Sequence, residues 1–392
     1  MKLAILLAGL ALQEGQHPGP DSARVDTFLN AVRAADPMIC EMVADQVGNF
    51  WTSYGDHGVG ILADGSRAWE ESRDSLYRTP ADPAALRRLA RGLDDPNPCV
   101  RRIAAKLLGQ GDTGPGVQVI RDGLRSPSPR VREAAALAAR HSEAPALESA
   151  LLAATRDPNP AVAAMAAYAL GALERPEHVG RMSELTRHDE ALVRRAAAHT
   201  LGQIEDPRVP PALVPLLRDR DEGVRVLAAE GLGEMKHPGS LDPLLGALAD
   251  ASAGVRAAAA EALGHLELPR AAPALGRAIG DRDPRVRIAA AEALGNLEGL
   301  EQAPPELIAA AGSTDRDLRQ AAVEALGNIS DPRAIDALGR LLGDSDREIR
   351  GAAVEALARI EDSRVTPYLL RALRDSDPEI RKAAAAALGE RK

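Results

Sequence analysis

The 392-residue sequence predicts an all-α, right-handed superhelical solenoid of about ten helix pairs. Three observations predict it. A motif returns every 31 residues through most of the chain. Each copy divides into two stretches that carry helix start and stop signals of their own. Aromatic residues make up only 2% of the chain, so alanine and leucine must do the packing, which suits closely spaced helices. A period in this range marks units that cannot bury an apolar face alone and do so by stacking on their neighbours.

The repeat is aligned on the Val-Arg pair of "RDPRVRIAAAEALGNLE", Arg282 to Glu298. The first residue of that pair recurs as Val100, Val131, Val162, Val193, Val224, Val255, Val286, Leu318, Ile349 and Ile380. The step is 31 residues throughout, except 32 between Val286 and Leu318. Three places before nine of the ten anchors stands an N-cap residue: Asn97, Ser128, Asn159, Asp221, Ser252, Asp283, Asp315, Asp346 or Asp377. Proline often follows at the first helical position, as at Pro98, Pro129, Pro160, Pro284 and Pro378. Apolar residues at anchor +3, +4, +7 and +8, such as Ala289, Ala290, Ala293 and Leu294, form one helical face. A glycine at +9 (Gly109, Gly171, Gly202, Gly233, Gly264, Gly295, Gly327, Gly389) is expected to close this first helix in a left-handed cap. The second helix opens at "DPR" or a relative, as at Pro207, Pro269 and Pro332.

These "DPxVRxAAAxALGxL" blocks, from about Asp95 to Lys392, resemble HEAT repeats of the short, phycobilisome-lyase-like type. The resemblance implies an armadillo-like superhelix and is nearly silent on function. Its members include scaffolds, lyase subunits for bilin chromophores, a metal-dependent hydroxylase and a DNA-repair glycosylase. The hydroxylase relies on His-Glu pairs, and no such dipeptide occurs here. The glycosylase needs a basic groove, which a net charge of −9 and a pI near 5.5 do not favour.

After each anchor comes an arginine in nine copies of ten: Arg101, Arg132, Arg194, Arg225, Arg256, Arg287, Arg319, Arg350 and Arg381, with Ala163 the exception. Five places before the anchor, seven copies carry an aspartate: Asp95, Asp157, Asp219, Asp250, Asp281, Asp344 and Asp375. Charge matched copy by copy predicts a structural ladder of arginines on aspartates and loop carbonyls, rather than a phosphate-binding row. At anchor +6, Glu230, Glu261, Glu292, Glu324 and Glu355 fall in consecutive units and predict an acidic stripe. It is a solvated face or a docking edge for a basic partner.

Upstream the period continues in disguise. "DPMICEMVADQVGN" puts Ile39 at the anchor and Cys40 where arginine is expected. The chain then departs from the pattern over 49–81, and six of its eight aromatics lie before residue 80. Loops of this length in an array are functional or disordered, and clustered Trp and Tyr suit binding. Phe50, Trp51, Tyr54 and His57 are therefore the candidate partner-binding residues. The competing reading is a cap over the first repeat, to which Trp69 is assigned. Cys40 and Cys99 flank the insertion, and form a disulfide if the chain is exported or two core thiols if it is not.

The start, Lys2 followed by an apolar run to Leu12, matches a short secretory signal or else an apolar helix docking on the first repeat. The expected organisation is a signal peptide over 1–13, a polar linker over 14–22, a degenerate N-terminal repeat or cap over 23–94, and the solenoid proper over 95–392. Localisation follows the signal: periplasmic or extracellular, otherwise cytoplasmic.

No catalytic constellation emerges. The eight histidines are scattered, "GQGDTG" at Gly109–Gly114 follows a helix rather than a strand, and no "GxSxG" or "HExxH" occurs. The expectation is a monomeric, non-catalytic scaffold that binds protein partners, without cofactor or metal, nucleic acid or membrane span. The alternative is a lyase-like or chaperone subunit presenting a small conjugated ligand to a client, with Trp51, Trp69 and Tyr77 lining its pocket.

Overall fold

The computed structural model describes residues 22–34, 82–110 and 114–390. Among these, every regular element is a helix. The chain divides into two units, Met1–Thr200 and Leu201–Lys392. Each is a stack of helix pairs in which neighbouring first helices pack side by side.

One pair shows how sequence makes the unit. Ser252 caps the first helix, Ala253–His265, its side chain accepting from the amides of Gly254 and Val255. Val255, Ala258, Ala259, Ala262 and Leu263 are buried. The chain turns back through a 3-10 segment, Pro269–Ala271, into the short second helix Ala272–Ala278, which buries Ala272 and Leu275 and packs chiefly on the first helix of the next copy, Pro284–Gly295. The proline-led turn recurs at Pro145–Leu147, Pro176–His178, Pro238–Ser240 and Pro332–Ala334. A ring that fixes φ starts these second helices where a missing amide costs least. Where the spacing stretches to 32, Gly299 adopts φ +66 and no 3-10 turn forms before Pro305–Ala310. The carboxylate of Asp331 instead accepts from the Ala303 amide at 2.8 Å.

The expectation for the +9 glycines needs correction. Among the described residues, only Gly114 and Gly299 of the glycines have positive φ. The left-handed turn comes three residues later and is made by Glu143, Glu174, Lys236, Glu267 and Ser330, with φ between 44 and 56. The glycines serve helix–helix approach. A Cβ on Gly233 would stand 2.7 Å from Cα of Ala262, and one on Gly264 2.8 Å from Cα of Ala293. Two backbones meet at each of these points, and a hydrogen is all that fits between them.

Candidate interaction surfaces

The arginine row forms a ladder with a definite register. Arg256 Nε and Nη2 reach Asp281 at 2.8 Å each, while Nη1 reaches the carbonyls of Asp250 and Ala251 at 2.9 and 3.1 Å. Each guanidinium therefore closes its own loop and grips the aspartate of the following copy. Arg132–Asp157, Arg225–Asp250, Arg319–Asp344 and Arg350–Asp375 repeat the pairing at 2.6 to 3.1 Å. The aspartate also accepts from the amide two residues on, as Asp281 does from Asp283 at 2.8 Å. These bonds hold the carboxyls of Asp157, Asp281 and Asp375 below the usual range, with the arginine hydrogen bond the largest cause. Arg194 and Arg381 bond the carbonyls of their own loops. Asp219 takes the amide of Asp221.

Exceptions follow the sequence. Arg101 bonds the carbonyls of Asp95 and Pro96, and Ser126 stands where an aspartate would receive its other edge. Ala163 lacks the arginine, and the corresponding acceptor place is His188, so that rung is absent from both sides. His188 Nδ1 keeps the local part of the role, accepting from the Glu190 amide at 3.0 Å. Arg287, with Ser313 in the acceptor place, turns to the N-cap residue Asp315 at 3.3 Å. Asp95 has no arginine in the donor place 25 residues before it, where the sequence has Glu70. Arg33, at the end of the helix Ser22–Arg33, supplies the guanidinium instead, Nη2 at 2.5 Å and Nε at 3.2 Å.

With interior charge neutralised in this way, exposed charge defines the faces of the second unit. The first helices carry Glu230, Glu261, Glu292, Glu324 and Glu355, all exposed. Although these side chains reach water, the packed helices around them remove part of their hydration, and this loss raises the pKa of Glu230, Glu261 and Glu292. Carboxylates one repeat away add to it: Glu261 on Glu230, and Glu261 and Glu324 on Glu292. The stripe is therefore a row of carboxylates close enough to repel.

The second helices and the turns after them expose Arg218, Arg277, Arg340, Arg371 and Arg374. Arg340, Arg371 and Arg374 line a cleft of about 550 Å³ with Asp344, Arg350 and Asp375. The first unit differs at the +6 place, where Tyr168 and His199 stand. The Arg140 guanidinium lies 3.8 Å above the Tyr168 ring, whose centroid is 4.8 Å from that of His199. The Nε2 atoms of His141 and His199 are buried without a hydrogen-bond partner.

Burial, then the positive charges of Lys106, Arg140 and Arg102, pushes His141 down to about 4. A base whose folded pKa is depressed stays neutral in the folded state while the unfolded chain binds a proton below about 6.5. Its neutral form therefore supports folding fully above about 6.5, and the support drains away as pH falls toward 4. His141→Gln should flatten the pH dependence of the first unit's stability across that window, measured by thermal melts. An unchanged slope would assign the dependence to other groups.

Phe50, Trp51, Tyr54, His57, Trp69, Tyr77 and Cys40 lie outside the described residues, as does the expected signal over 1–13. Cys99 is buried near the start of Pro98–Leu108, and among the described residues no cysteine is free. No cluster of His, Cys, Asp or Glu among the described residues could hold a metal ion. No helix among them is long and apolar enough to cross a membrane.

The family model for HEAT repeats matches residues 147–225, 211–295, 264–317 and 304–389, together more than half of the chain. The chain is a HEAT-repeat protein. No curated protein matches it in sequence. Among solved structures it is similar to Kap95p, determined with RanGDP, at 16% identity and TM-score 0.53, over 99% of this chain and 60% of that one. An engineered protein matches at 23% identity and TM-score 0.48, covering 78% of this chain and 98% of its own. The complex of CpcE and CpcF of phycocyanin lyase from Nostoc sp. PCC7120 matches at 20% identity and TM-score 0.38, covering 62% and 94%. At these identities the likeness to Kap95p speaks for the helical-repeat fold alone.

Sequence reasoning did not find the exposed arginines of the second helices. Arg277, Arg340 and Arg371 all stand nine places before an anchor, so the register was present. It was hidden because Ala309 and Gly246 interrupt the row and the acidic total draws attention away.

Proposed function

We propose that this HEAT-repeat chain is a non-catalytic scaffold that binds protein partners on the concave, second-helix face. The insertion at 49–81, through Phe50, Trp51, Tyr54 and His57, serves as the specificity element. The observation that supports this reading is the separation of charge. Rung arginines such as Arg256 and Arg350 are committed inside the ladder, while second-helix arginines such as Arg277 and Arg340 stand exposed without an ion pair among the described residues. A frame held by repeated bidentate bonds keeps such groups in place before a partner arrives, which reduces the ordering cost of binding.

We read the chain as exported, with Cys40 and Cys99 joined across the insertion; a mass measured without reductant that equals the fully reduced value would contradict the bond. The functional test is partner capture in envelope and cytosolic fractions of the host, comparing the intact chain with one lacking 49–66. The expected result is a partner that binds the intact chain and is lost on deletion. A partner retained after deletion removes the insertion from the interface, and no partner from either fraction removes the scaffold reading.

A further inference from the structure

The cleft at the ends of two successive second helices, Ile335–Leu341 and Thr366–Ala372, holds more positive charge than the protein uses. Both of its carboxylates are already engaged. Asp375 is bound by Arg350 at 2.9 Å and Asp344 by Arg319 at 3.1 Å. That leaves Arg340, Arg371 and Arg374 with no carboxylate partner among the described residues. Arg371 is oriented twice over. Its Nη2 donates to the Gly339 carbonyl, and its guanidinium lies 5.7 Å from the centre of the Tyr368 ring. Tyr368 is itself fixed, donating to Asp336 at 2.8 Å and lying where a side chain at Gly339 would have to be.

The ordinary reason for arginine at these places is the partial negative charge at a helix C-terminus. It accounts for Arg340 and Arg371, each in the last turn of its helix. It does not account for Arg374 beyond the helix end, nor for three guanidiniums facing one cleft in a chain of net charge −9.

We propose that this cleft docks a short acidic segment of a partner protein, two or more carboxylates of which pair with Arg340, Arg371 and Arg374. Guanidinium groups bind carboxylates in a planar, two-bonded geometry, and a repeated helix pair offers successive cations to successive side chains of an extended peptide. The exposed carboxylates of Glu306 and Asp336 on the same face disfavour a long polyanion such as nucleic acid, whose phosphates need a continuous basic groove. The inference rests on the scaffold reading and names the chemistry of one partner.

The test is fluorescence anisotropy of a labelled, glutamate-rich peptide with the full chain at low salt. Saturable binding is expected, weakening steeply with salt. The exposed pair Arg340→Ala and Arg374→Ala should weaken it by about tenfold or more while the melting temperature stays within about a degree. A glutamine-for-glutamate peptide should not bind. The proposal is overturned if the glutamate peptide fails to saturate, if the double variant binds it equally well, or if inorganic phosphate or single-stranded DNA displaces it at matched charge. Failure here leaves partner capture by the intact chain as a separate result, so the two readings fall separately.

Discussion

Gly264→Ala is expected to destabilise the second unit by about 2–3 kcal/mol, whereas Gly246→Ala should stabilise it by about 0.5–1 kcal/mol. The chemical change is the same in both. Alanine is the better helix former by roughly 1 kcal/mol, so propensity favours both substitutions. Contact decides the sign. Around Gly246 a new Cβ meets nothing within 4 Å, and the gain is realised. At Gly264 it would stand 2.8 Å from Cα and 2.9 Å from Cβ of Ala293. Neither is the movable end of a long side chain, so the helices Ala253–His265 and Pro284–Gly295 must separate. That movement loosens packing along the whole contact, because interiors this dense do not absorb a methyl group locally. Urea titration of the two variants beside the parent decides it. Equal effects of one sign would mean the +9 glycines are not set by helix approach.

Asp281→Ala should cost about 2–3 kcal/mol, against less than about 0.5 kcal/mol for Asp242→Ala. Asp281 takes two bonds from Arg256 and one from the Asp283 amide, and its side chain is 16% exposed. Removing it strands a guanidinium that is itself 7% exposed, and an unsatisfied buried charge costs more than a lost surface pair. Asp242, by contrast, meets Arg270 at 3.9 Å with 81% of its side chain exposed, where solvent screening leaves little. The pH dependence has a fixed sign. Asp281 is held below its ordinary value of 3.8, chiefly by the Arg256 hydrogen bond. Its contribution is therefore complete above that value and is lost as pH falls through the lower, folded one. The difference between parent and variant should shrink correspondingly in acid. Repeat arrays unfold less cooperatively than compact domains, so hydrogen exchange in 253–265 and 284–295 is the sharper readout.

Much of the fold could be read from the chain because each repeat states its own boundaries. The nine N-cap residues named from the motif all cap first helices, and all but Ser128 do so through backbone amides that their side chains satisfy. The glycines were misread because periodicity reports that a position is special, not why. A helix end and a helix crossing both favour glycine, and only neighbouring backbones distinguish them. The register of the ladder was equally hidden: the motif puts Asp250 six residues before Arg256, yet the carboxylate that Arg256 grips belongs to the next copy. Arg33 replaces the missing rung from outside the motif, where no alignment of repeats would look.

The surfaces were less legible. The glutamate stripe shows itself because five successive copies share it, whereas the cleft of Arg340, Arg371 and Arg374 uses two register positions and occurs once. A structural repeat announces itself by recurrence, and a binding site is where recurrence stops.

The central claim is that a ladder-held frame binds protein on its second-helix face. Hydrogen exchange of the intact chain with and without its captured partner tests it most directly. The account predicts new protection in 335–341, 366–372 and the insertion 49–81, with the first helices 253–265 and 284–295 unchanged. Protection confined to the glutamate-bearing first helices would contradict it and move the interface to the acidic stripe.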